Sequence, residues 1–123
     1  MKLGLELGVT LGEWQKKAHA QAAKSGFHDG APVVAAFVMN LVSEVAEAWE
    51  AYRGGKMNEP CDKAEKMVAL GLPALTCMEE ELADVMIRVF DTAETFGIDI
   101  DRAVAAKHAY NGTRTHKHGG KLA

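Results

Sequence analysis

Asn40-Leu-Val-Ser-Glu44-Val-Ala-Glu47-Ala-Trp-Glu50-Ala-Tyr-Arg53 is the stretch on which the reading of this chain turns. Its apolar residues return every three or four positions, which predicts the later part of a long amphipathic helix. Glu44 and Glu47 stand three apart, on nearly one face of it. A second stretch, Glu79-Glu-Glu81-Leu-Ala-Asp84-Val-Met-Ile-Arg88, repeats the device with Glu81 and Asp84. Two such pairs facing each other would offer four oxygen ligands to a hard divalent cation such as Mg²⁺. One acidic pair on a helix is usually a solvated face. Here each pair lies beside an apolar stripe, where unpaired charge is costly unless a cation or a base neutralises it.

Outward from these two stretches the chain reads as all-α. Thr10-Leu-Gly-Glu13 matches a capping box for a first helix running through Trp14 to about Ser25, where Gly26 ends it. The second helix is predicted from Pro32 to Arg53, with Val34, Val38, Leu41, Val45, Ala48 and Tyr52 as its core stripe. Glu44 and Glu47 fall on a flank shared with Phe37, while Glu50 points to solvent. Residues 54–75 fit no long element and are assigned to a rim or a subunit contact. Asp62-Lys-Ala-Glu65 predicts a capped two-turn helix within them. Thr76-Cys-Met-Glu79 caps the third long helix, which Gly97 stops. Its stripe is Met78, Leu82, Val85, Met86, Val89, Ala93 and Phe96, with Glu81, Asp84, Arg88, Thr92 and Thr95 on a polar side. Asp99 caps a last helix with Ile100, Val104 and Tyr110 facing inward. Phe37 and Ile87 lie off the main stripes, which predicts a homodimer. Trp14 and Trp49 read as packing residues, Trp49 with a place at the edge of the site.

The chain has 123 residues, 48% hydrophobic and 25% charged, the size and balance of one globular domain spanning 1–123. A net charge of −3 gives no general reason to expect duplex nucleic acid or an anionic membrane as partner. No segment reaches the roughly 20 apolar residues that span a bilayer. Cys61 and Cys77 lack a C-x-x-C spacing, so reduced thiols and a soluble cytoplasmic protein are expected. His19, His28 and His108 stand isolated. His116 and His118 lie in a basic tail, from about 112 to 123, without the partners that a zinc clip needs.

Lys107, Asn111 and Arg114 recur at i, i+4 and i+7 and can clamp phosphate oxygens. Together, Glu44-Val-Ala-Glu47, Glu81-Leu-Ala-Asp84 and Lys107-x-x-x-Asn111-x-x-Arg114, continuing to Lys121, resemble the signature of the MazG-like all-α nucleoside triphosphate pyrophosphohydrolases, relatives of the dimeric dUTPases. The resemblance implies a four-helix-bundle-like core completed by a homodimer or dimer of dimers. It implies Mg²⁺, or Mn²⁺, on Glu44, Glu47, Glu81 and Asp84, with Glu47 or Glu44 activating water. Lys107, Asn111, Arg114 and Lys121 would hold the phosphates of a nucleoside triphosphate substrate. Cleavage between the α and β phosphates is expected, because the chain has no G-x-x-x-x-G-K-[ST] loop. The alternative from another class is a non-catalytic helical dimerisation module. A di-iron bundle is set aside, since no Glu has a His three residues later.

Overall fold

A computed structural model describes residues 1–114. Its helices are α1 (Leu11–Lys24), α2 (Val34–Arg53), α3 (Ala64–Ala69), α4 (Cys77–Thr95) and α5 (Ile100–Asn111). Among the described residues there is no strand, only an isolated bridge between Pro60 and Thr76. The all-α expectation holds. No helix among them is long and apolar enough to cross a membrane.

Local chemistry sets the helix ends. At α4 both halves of the capping box form: Thr76 Oγ1 accepts from the Glu79 N–H at 3.1 Å, and the Glu79 carboxylate accepts from the Thr76 N–H at 2.9 Å. At α1 only half forms, because the Thr10 hydroxyl donates to the Glu13 carboxylate and keeps it from the Thr10 N–H. The box expected at Asp62 does not form. Lys63 is the cap residue of α3, and Asp62 instead accepts from the Lys63 ammonium at 3.2 Å. Helix α2 begins later than expected, since Val33 is still extended (φ −118°, ψ 113°) and Pro32 lies outside the helix. Gly97 stops α4 at φ +69°, a conformation costly for a side chain bearing Cβ. The turn returns the Ile98 N–H to the Ala93 carbonyl and the Gly97 N–H to the Glu94 carbonyl.

Helix α4 is the shared element, packed against α1 on one side and α2 on the other, while α5 touches α1. Phe90, Ala93 and Ala18 are buried at these seams. Gln15 is buried too, and ties three elements together. Its amide donates to Glu94 at 2.9 Å and to the Ile98 carbonyl at 2.7 Å, and its oxygen accepts from the Ile100 N–H. The lead-in before α1 runs along α3, with the Leu3 N–H on the Leu70 carbonyl at 2.7 Å.

The stripe expected to fill the core of α2 does not do so. The residues turned inward are Phe37, Leu41, Glu44, Ala48 and Ala51, while Val34, Val38, Val45 and Tyr52 are all exposed. Phe37 packs within the chain, its ring 5.6 Å from His28 and 5.2 Å from Phe96. On α4, Leu82 and Met86 likewise face out, and on α5 so do Val104 and Tyr110. The physical reason is that α2 has two apolar faces, and α4 can cover only the one carrying the acids. Among the described residues no large side chain is fully buried. The accessible surface is 9090 Å², against about 6,400 Å² for a compact monomer of this mass.

Candidate metal centre

Helices α2 and α4 lie side by side, so their polar edges meet along one seam. Glu44 sits one turn beyond Leu41 on the inward face of α2, and Glu81, Asp84 and Arg88 follow one another on α4. One carboxylate oxygen each of Glu44, Glu81 and Asp84 lies within 4.8 Å of the others. Glu47 is exposed and stands beside Glu81, whose carboxyl it raises. The four acids singled out in the sequence thus belong to one neighbourhood, three as a tight group and the fourth at its edge.

The group is electrostatically unsatisfied. Oε2 of Glu81 is buried with no hydrogen-bond partner. Burial, then the hydrogen bond and charge of Glu47, then Glu80 and Asp84, push the Glu81 carboxyl up to about 7. Asp84 is raised as well, by burial first and by Glu44 next. The cation in direct contact is Arg88, whose Nε donates to Glu44 at 3.1 Å while its guanidinium lies 5.5 Å from the centre of the Phe27 ring. An all-oxygen donor set with an orphaned buried oxygen fits a hard divalent cation such as Mg²⁺.

Two clefts open onto the acids. One, of about 310 Å³, is lined by Phe27, Glu44, Asp84, Arg88 and Asp91 together with small residues of α1. The other, of about 590 Å³, runs past Glu47 and Glu81 and has residues of the 54–75 segment as its far wall. Lys63 from that wall is paired with Glu80, and this bond is the first cause of its raised pKa. Lys56 lines the same cleft. The segment therefore forms a rim of the site.

The other expected residues are placed elsewhere. Lys107 and Asn111 line a separate hollow on α5 with Ile100, Ala103 and Val104. Lys107 lies over the Tyr110 ring, and the side-chain oxygen of Asn111 is buried without a partner. Arg114 ends the described chain, and Lys121, His116 and His118 fall outside the described residues. Trp49 is exposed against Tyr52 and does not edge the site. Sequence reasoning missed Asp91, which gathers His19 and His28 around it. The available signal was position: Asp84, Arg88, Asp91 and Thr95 recur at i, i+4, i+7 and i+11 on one face.

The raised Glu81 carboxyl makes stability depend on pH. The folded chain keeps this proton up to about pH 7, whereas the unfolded chain loses it near the ordinary value of 4.5. The stabilisation is full below the unfolded value and is lost as pH rises through the folded one. Without divalent ions, the melting temperature of the wild type relative to Glu81→Gln is expected to fall between pH 4.5 and 7. Millimolar Mg²⁺ is expected to reverse that fall. A difference between the two proteins that stays flat with pH would show that the carboxylates do not strain one another.

No protein-family model, curated protein or solved structure matches this chain. The reading of the site rests on its residues and their geometry.

Proposed function

We propose that the chain is a Mg²⁺-dependent nucleoside triphosphate pyrophosphohydrolase that releases a nucleoside monophosphate and pyrophosphate. The observation carrying this reading is the convergence of Glu44, Glu81 and Asp84 within 4.8 Å around a buried, unpartnered oxygen. The resemblance of the ordered acids to the MazG-like signature supports it. Glu44, Glu47, Glu81 and Asp84 would hold Mg²⁺, or Mn²⁺ in its place. Such an ion neutralises phosphate oxygens and acidifies nearby water. Glu47 is the acid left free to take a proton from the attacking water, because Glu44 is engaged by Arg88. The water oxygen attacks the α-phosphorus, the bond to the α–β bridging oxygen breaks, and pyrophosphate departs with the electron pair. Lys56 and Lys63 add positive charge at the rim; Lys107, Asn111, Arg114 and Lys121, which the resemblance assigns to the phosphates, would have to reach them from another copy of the chain, since Lys107 and Asn111 line a separate hollow on α5.

Glu47→Gln and Asp84→Asn are each expected to lower kcat at least about 100-fold with helix content unchanged. Chromatography with a nucleoside triphosphate and Mg²⁺ should show monophosphate and pyrophosphate in equal amounts. Diphosphate with orthophosphate as first products would overturn the assignment, as would near-normal turnover in both variants.

A homodimer, or a dimer of dimers, belongs to the same reading and would complete a four-helix-bundle-like core. Its support is the outward stripe of α2, where Val38, Val42, Val45, Trp49 and Tyr52 are each about half exposed or more. Sedimentation at micromolar concentration should give a dimer or larger for the wild type and a smaller species for Val45→Glu. A monomeric wild type would contradict it. The same stripe favours a second reading, a non-catalytic dimerisation module; stable self-association with no hydrolysis of any nucleoside triphosphate in Mg²⁺ would decide for that one.

A further inference from the structure

We infer that His19, His28 and Asp91 form a second metal site, one suited to a Zn²⁺-class ion and separate from the carboxylate cage. The three residues come from α1, from the turn between α1 and α2, and from α4. Nε2 of His28 lies 2.7 Å and Nδ1 of His19 3.1 Å from the same oxygen, Oδ1 of Asp91. All three ligand atoms fall within 4.8 Å of one another. Tetrahedral bonds of about 2.0–2.1 Å to nitrogen and oxygen place neighbouring ligand atoms roughly 3.3 Å apart. His28 Nε2 at 2.7 Å and His19 Nδ1 at 3.1 Å from Asp91 Oδ1 are closer than that, so an entering ion would spread the His28 contact by roughly 0.6 Å.

Donor chemistry separates this site from the cage. Two imidazoles and one carboxylate suit zinc and similar borderline ions, whereas four carboxylates suit Mg²⁺. Asp91 stands seven residues beyond Asp84 on α4, about 10 Å along the helix axis, so one ion cannot serve both groups. The ligands are also held in place. The Asp91 side chain is 7% exposed and that of His28 14%. The His28 ring is stacked on Phe37, which in turn meets Phe96 edge-on. His19 is the more open of the two imidazoles, with a side chain 35% exposed, and gives an ion a way in. Thr95 Oγ1 lies 3.2 Å from the same His19 Nδ1, a contact that nitrogen gives up on taking an ion. Three protein ligands leave a fourth position for water or another donor. The ion would pin α1 and the turn after it onto α4.

The competing account of the same distances is a hydrogen-bonded staple, in which both imidazoles donate to Asp91 and no ion enters. It makes a different forecast. The test uses the full chain with His116 and His118 changed to Ala, to remove the tail imidazoles, and with millimolar Mg²⁺ present to occupy the cage. Calorimetry with Zn²⁺ should give one ion per chain, and Co²⁺ should give the visible absorption of a four- or five-coordinate nitrogen–oxygen site. His19→Ala and His28→Ala are each expected to weaken Zn²⁺ at least about 100-fold, more than loss of an outer-shell partner does. His108→Ala, on α5, should leave it unchanged. Circular dichroism confirms folding, and His19→Ala, at the more open position, keeps the test sound should His28→Ala unfold. Absence of Zn²⁺ binding, or binding that persists in folded His19→Ala, would overturn the proposal and leave the staple.

Discussion

Three carboxylates held within 4.8 Å of one another on rigid helices repel each other, and the α2–α4 seam carries that repulsion at its centre. Arg88 matches one of the three charges through Glu44. The Glu81 carboxyl removes a second by holding its proton to about pH 7, and the third, Asp84, is raised as well. The neighbours along the seam, Leu41, Ala48 and Ala51 on α2, are small or aliphatic and offer the acids nothing to bond to. A group arranged this way is stable either protonated or with a cation among its oxygens.

The remaining architecture serves to hold that place rigid. Helix α4 carries Asp84, Arg88, Asp91 and Thr95 along one face, so one element contributes to the acid cage and to the His19–His28–Asp91 cluster a heptad further on. Gln15 locks α1 against the end of α4 and the start of α5 with three hydrogen bonds. The turn at Gly26, with φ +88°, lets the chain reverse so that Phe27 lies under Arg88 and His28 reaches Asp91. The 54–75 segment closes the far side by setting Lys63 on Glu80.

Much of this was legible in the sequence. The four acids, the caps at Thr10, Thr76 and Asp99, and the stop at Gly97 follow from local chemistry, which short-range spacing records faithfully. Which apolar face of α2 turns inward did not follow. Of the expected stripe Val34, Val38, Leu41, Val45, Ala48 and Tyr52, only Leu41 and Ala48 turn inward, and they do so with Phe37, Glu44 and Ala51, a face spaced just as regularly. Periodicity shows that a face is apolar and does not say whether the same chain covers it. The His19–His28–Asp91 cluster escaped for another reason. His19 and Asp91 are 72 residues apart, and no spacing rule links side chains brought together by tertiary packing. The Asp62 cap failed because a neighbouring ammonium, Lys63, competes for the carboxylate.

On the proposed function, the acid cage takes a divalent ion in exchange for the proton of Glu81. Proton release on Mg²⁺ binding tests it most directly, by calorimetry near pH 6.5 in two buffers of different ionisation enthalpy. The account expects a substantial fraction of a proton to be released per ion by the wild type and far less by Glu81→Gln. Mg²⁺ binding with no proton release in the wild type, or no Mg²⁺ binding at all, would contradict it.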